Sequence, residues 1–214
     1  MRYGARAVHS DEELMIAYAA GDTGAFKEIF ARYQAALLRV LASQTRSSEV
    51  ARDLVQLTFL HAHRARRDFD PSQKLRPWLF TIATNLRREH FRRARRKPEV
   101  SLESEGAAEP SEGPRGQARA DAVRVLRRAM AELSAAQSEV IALHWLAGLS
   151  FHEIAEVRGT TLSATKALAH RGYLILRQVL GADPRGSVNS GVAEQPDNQD
   201  AITAISQLAE ETSE

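Results

Sequence analysis

The chain has 214 residues, of which 43% are apolar and 26% charged, so it is too apolar for wholesale disorder and long enough for one ordinary domain or two small ones. Without cysteine it can hold no disulfide, no thiolate zinc site and no cysteine nucleophile. The net charge of +2 conceals an alternation: residues 1–97 hold 19 Lys/Arg against 10 Asp/Glu, 98–118 hold 1 against 5, 119–181 hold 8 against 5, and 182–214 hold 1 against 7. Two basic bodies are thus separated and followed by acidic stretches, and clustered cations suit a polyanionic partner.

Met1 to Leu14 lacks the apolar stretch of a signal peptide, and Val140 to Leu149 is broken by His144. No membrane insertion is expected, and the cytoplasm is the expected compartment.

Ser10 followed by Asp11, Glu12 and Glu13 predicts a capped helix start, with Leu14, Ala17 and Tyr18 at helical spacing behind it. Gly21-Asp-Thr-Gly24 reads as a turn. Phe26, Ile29, Phe30, Tyr33, Leu37, Leu38 and Leu41 then predict a long amphipathic helix. A third helix begins near Ser47, with Val50, Leu54, Leu57 and Leu60 as its face. Asp70-Pro-Ser72 interrupts the pattern, and a fourth helix runs from about Pro77 into the basic run ending at Lys97. No segment alternates as a half-buried strand does.

Residues 98–118, rich in Glu, Pro and Gly, read as a linker too polar to bury a core. Helical spacing returns with Val123, Leu126, Ala129, Met130 and Leu133. Ser134 caps a helix carrying Val140, Ile141, Leu143 and Leu146, which Gly148 ends. Ser150 with Glu153 forms a capping box, with Ile154, Ala155 and Val157 facing inward and Gly159 as the stop. A last helix covers about Ser163 to Leu180. The expected fold class is all-α: two small helical domains joined by a flexible linker.

Two patterns carry chemistry. Leu149 to Arg171 spells a helix-turn-helix whose second helix bears Lys166, His170 and Arg171, as docking in a DNA major groove requires; a purely structural helix pair gives a similar pattern. Arg87 to Lys97 holds seven Lys/Arg against Glu89 alone, after Trp78, Phe80 and Asn85. Cations among aromatics suit backbone contact and base stacking, although a solvated helix end has the same composition. The histidines are scattered, His61 and His63 point to different sides of a helix, and there is no paired acid/base constellation or Gly-rich phosphate loop. An enzyme is not expected, and neither a cofactor nor a metal. A stand-alone DNA-binding regulator is the competing class, but it has no need of the first domain.

In order along the chain stand Asp53-Leu-Val-Gln-Leu-Thr-Phe, Asp68-Phe-Asp-Pro, Pro77-Trp-Leu-Phe-Thr-Ile-Ala-Thr-Asn-Leu with its arginine run, and Leu133-Ser-Ala-Ala-Gln-Ser-Glu-Val-Ile through Ile154-Ala. Together they resemble a bacterial extracytoplasmic-function (ECF) sigma factor of the sigma-70 family over residues 10–97 and 119–181.

The resemblance implies that residues 1–97 are sigma domain 2, docking on the β′ clamp helices of core RNA polymerase through Asp53, Gln56 and Leu57. It implies −10 element recognition and melting by the loop Phe69 to Arg76, with Lys74, Arg76, Trp78, Asn85, Arg88 and Arg92; by the residue pattern alone Trp78 is either core or a stacking platform. Residues 119–181 would be sigma domain 4, bound by the β flap and reading the −35 element with Ser163, Thr165, Lys166, His170 and Arg171. An anti-sigma factor is a further implied partner.

Three departures qualify the match. Leu57 replaces the usual acidic residue, which weakens the polymerase contact or shifts it to neighbours. Leu168 replaces a recognition-helix arginine, so promoter sequence does not transfer from relatives. Short members lack the tail 182–214, where Ile202, Ile205, Leu208 and Ala209 at helical spacing suggest either a regulatory helix that folds back or a disordered acidic end.

Overall fold

The structure, a computed structural model, describes residues 9–45, 47–96 and 128–181. Every regular element among them is helical: α1 (Asp11–Ala19), α2 (Thr23–Thr45), α3 (Ser48–Arg64), α4 (Leu75–Arg96), α5 (Ala135–Trp145), α6 (Phe151–Arg158) and α7 (Leu162–Gly181). The linker 98–118, the helical start at Val123 and Leu126, and the tail 182–214 lie outside the described residues. The chain forms two compact units, one holding α1–α4 and the other α5, α7 and most of α6.

Local chemistry sets the boundaries. The Ser10 hydroxyl accepts from the Glu13 amide at 3.1 Å and the Glu13 carboxylate from the Ser10 amide at 2.8 Å, so the expected cap is closed as a capping box. Gly21 turns the chain at a φ of 109°. Asp22 then accepts from the Gly24 amide at 2.7 Å, so α2 starts at Thr23 and Gly24 lies inside the helix rather than in the turn. Ser47 and Ser134 cap α3 and α5 as expected. At the start of α7 the cap is Thr161, whose hydroxyl accepts from the Ala164 amide at 3.2 Å.

In the first unit α2 packs on α1, α3 and α4, and α3 packs on α4. Leu37, Leu41, Leu75, Leu79 and Phe80 are its most enclosed large side chains. Beside them Tyr18, Phe26, Phe30 and Phe59 form an aromatic cluster, with Phe30 and Phe59 at 4.7 Å between ring centres.

The expected inner face of α3 needs correction. Its buried residues are Ala51, Leu54, Val55, Thr58, Phe59 and Ala62, whereas Leu57 and Leu60 are 40% and 41% exposed. Positions 51, 55, 58 and 62 follow the helical period, and 57 and 60 fall on its other side.

In the second unit α5 crosses α7, and Ala129, Leu133, Ile141 and Leu176 form a core lined by Trp145 and Tyr173. The Trp145 indole N–H donates to the Tyr173 hydroxyl at 2.8 Å, and burial pushes that phenol above its ordinary pKa. At the crossing, a Cβ on Gly172 would stand 2.6 Å from Ile141 Cδ1. Gly172→Ala alone should therefore return little of the roughly 1 kcal/mol that alanine gains over glycine in a helix. Adding it to Ile141→Val, which withdraws that methyl, should recover about 1 kcal/mol relative to Ile141→Val alone. Urea melts of the four-member cycle measure this coupling.

Candidate nucleic-acid and docking surfaces

Burying 51, 54/55, 58 and 62 leaves the opposite side of α3 in solvent. Asp53, Gln56, Leu57 and Leu60, at steps of three, four and seven, share that side, and all four are exposed. The result is an apolar strip edged by one carboxylate and one amide. Leu57 and Leu60, both expected on the inner face of α3, are its apolar members, and Leu60 is not among the expected docking residues.

Helix α4 divides in the same way. Leu75, Leu79, Phe80, Ala83, Thr84 and Arg87 are buried. On the other side Trp78, Asn85, Arg88 and Arg92 recur at steps of seven, three and four, and Lys74 continues the line into the preceding loop. Lys74, Asn85 and Arg92 are exposed, while Trp78 and Arg88 are partly covered. Arg88 reaches Asn85 Oδ1 at 3.4 Å, and Arg93 pairs with Glu89 at 2.5 Å.

Trp78 has an intermediate position between the two readings of the sequence: it packs edge-on against buried Phe69 at 5.2 Å and keeps part of its surface in solvent. Arg76 does not join the line. It falls on the far side of the helix, with its guanidinium 6.0 Å from the centre of the Tyr33 ring. Burial and the bond to Asp11 push the Tyr33 phenol far above its ordinary pKa.

The loop between α3 and α4 is held by a turn in which Asp70 accepts from the Ser72 amide at 2.9 Å. That bond holds the Asp70 carboxyl below its ordinary pKa. Since the folded pKa is the depressed one, the contribution to stability is present above the unfolded value and disappears as pH falls through the folded value. The turn should therefore persist into mild acid. A carbon-detected NMR titration is expected to place the Asp70 midpoint below that of an unstructured aspartate.

In the second unit the first half of α7 presents Ser163, Lys166, His170 and Arg171 to solvent. Thr165, expected beside them, is fully buried, and its hydroxyl donates to the Thr161 carbonyl at 3.0 Å. It serves the capped turn and offers nothing to a groove. Leu168 is partly covered, and Ala169 is buried. Among the described residues no helix is long and apolar enough to cross a membrane, and no group of three or more His, Asp or Glu could hold a metal.

Comparison with known proteins matches Sigma-70 region 2 to residues 29–97 and Sigma-70 region 4 to residues 124–176. The chain is 34% identical to the RNA polymerase sigma factor CarQ of Myxococcus xanthus, an alignment covering 75% of this chain and 92% of the relative. It is 33% identical to CnrH of Cupriavidus metallidurans, over 81% and 96% of the two chains. Among solved structures, CnrH in complex with the cytosolic domain of CnrY superposes with a TM-score of 0.64 at 28% identity, covering 82% of this chain and 99% of that one. The sigma factor RpoE of Bartonella quintana, in complex with the anti-sigma factor NepR, gives 0.60 at 27% identity, over 74% and 98%.

Proposed function

The chain belongs to the ECF group of the sigma-70 family, whose members direct promoter-specific transcription by RNA polymerase, and from that premise we propose how its surfaces share the work. Residues 1–97 act as the polymerase-docking and −10 domain and residues 119–181 as the −35 domain, with 98–118 a connector between them. The exposed side of α3, with Asp53, Gln56, Leu57 and Leu60, lies against the β′ clamp helices. The loop Phe69 to Lys74 and the line Lys74, Trp78, Asn85, Arg88 and Arg92 hold the unpaired non-template strand of the −10 element. The start of α7 enters the −35 major groove with Ser163, Lys166, His170 and Arg171, while the β flap holds the second unit. The chain itself performs no bond-making chemistry, and it works in the cytoplasm, beside the polymerase.

The observation that carries this reading is the two-sided character of α4. Drawing a base out of the duplex costs a few kcal/mol, which stacking and backbone cations must offset. Helix α4 buries one side in the core and aligns two cations, an amide and a partly covered indole on the other, with Lys74 just before it as a third cation. A plain solvated helix has no reason to keep a tryptophan at the water boundary in line with those cations.

The solved relatives, bound to CnrY and NepR, support an anti-sigma factor as a further partner here. The decisive experiment is a pull-down with purified bacterial core polymerase followed by run-off transcription from genomic fragments. Stoichiometric binding with discrete new start sites is the expected result. Duplex binding without polymerase association would make the chain a stand-alone regulator.

A further inference from the structure

Helix α4 starts without a cap of its own. The residue before it, Lys74, carries no side-chain acceptor, and Pro77 in its first turn carries no N–H. Yet Leu75, its first residue, is wholly buried, so its backbone N–H needs a partner. That partner comes from 63 positions earlier: the Glu12 carboxylate, in the first turn of α1, accepts from the Leu75 amide at 3.1 Å. The same Glu12 oxygen lies 3.9 Å from the Lys74 ammonium. Its neighbour Asp11 accepts from Arg32 at 2.7 Å and from the Tyr33 hydroxyl, and the Tyr33 ring lies beneath Arg76. One turn of α1 thus holds the first residue of α4 directly through Glu12 and borders Arg76 through Asp11 and Tyr33.

We propose that Glu12 is a positioning residue for promoter opening, a borrowed helix cap that fixes the junction from which Lys74 and Trp78 face the unpaired strand. The inference rests on the −10 reading above. The buried residues Leu79, Phe80 and Ala83 anchor the body of α4; the cap governs its first turn and the end of the loop. A frayed junction would have to be ordered anew each time a base is captured, and that entropy cost falls on opening rather than on docking. The ion pair with Lys74, whose side chain is 73% exposed, adds little, so the acceptor atom is what matters.

The test uses holoenzyme assembled from the full chain and core polymerase, on a promoter mapped by run-off transcription, with 2-aminopurine at the −10 position reporting opening. Glu12→Ala should lower the open-complex yield on duplex promoter about tenfold, and clearly less on the same promoter pre-opened by mismatches, with core affinity unchanged. Glu12→Gln keeps an acceptor for the Leu75 amide and should stay within about twofold of the parent.

Wild-type opening by Glu12→Ala would overturn the proposal. So would an equal loss on both templates together with loss of core binding, which marks a residue that only supports the fold, or failure of Glu12→Gln to restore opening. A Lys74→Ala, Asn85→Ala variant separates the two levels: if it opens normally, the −10 reading itself fails and takes this proposal with it.

Discussion

Aspartate at both Leu57 and Leu60 is expected to abolish holoenzyme assembly while leaving the first unit folded. Both leucines are about two-fifths exposed on the side of α3 that also carries Asp53 and Gln56. Apolar anchors at the centre of an interface each contribute about 2 kcal/mol or more, and a carboxylate in their place adds a desolvation cost. Two such losses amount to a fall in core affinity of about 1,000-fold or more. Neither leucine fills the core, so the cost to folding is chiefly helix propensity, about 1 kcal/mol for the pair. Titration of fluorescent core polymerase checks the first figure and urea denaturation the second. Ile16→Asp is the control: Ile16 is a similarly exposed apolar residue, 49%, on a different helix, α1, and should leave core affinity as it is. Wild-type assembly by the double variant would remove α3 as the docking element.

The leucines also bear on what Leu57 means at a position where the family resemblance implies an acid. Read from the sequence, the change weakens the polymerase contact or moves it. With Leu60 beside it in solvent, the substitution extends an apolar strip rather than deleting a charge from a polar one. We therefore expect docking here to depend less on salt than a contact built on carboxylates would.

How far the sequence anticipates the structure differs from element to element, for physical reasons. Caps made by neighbours are written locally: Ser10 and Ser134 cap their helices and Ser150 with Glu153 closes the capping box, all as expected. The start of α4 is not local. The sequence places it near Pro77, yet it begins at Leu75, because the acceptor for that amide is Glu12 on another helix. The same limit explains α3. Val50, Leu54, Leu57 and Leu60 look like one face by hydrophobicity, and Ala51, Thr58 and Ala62 look like filler. Burial follows the period instead, and small residues sit where helices approach closely. The resemblance implies Thr165 in the groove, but a threonine four residues after a cap can bond back to the carbonyl of the turn, and here it does. Arg76 lay within the basic sequence around the loop, but its angular position takes it to Tyr33.

Reversing the charges of Lys166 and Arg171 to glutamate should cost the −35 contact its affinity without touching assembly on core polymerase. Both side chains are exposed on the first half of α7, and the buried line Thr165, Ala169 and Leu176 is untouched. If both cations neutralise phosphates, the log–log salt dependence of duplex binding should flatten by about two, one unit for each contact. Repulsion from the new carboxylates brings the expected loss to about 100-fold or more at moderate salt. Single variants divide the roles. A phosphate contact removed by Lys166→Ala weakens all −35 sequences alike; a base contact removed there relaxes preference at one position, by about 1–3 kcal/mol. Binding of labelled −35 duplexes across a salt series, with base substitutions at each position, reads both. Unchanged duplex affinity in the double glutamate variant would show that α7 does not enter the groove. With Leu168 where the resemblance implies an arginine, and Thr165 inside the unit, specificity on the proposed reading has few carriers left on this helix. In the proposed docking it would rest on Lys166, His170, Arg171 and Ser163, or on the shape of the −35 duplex itself.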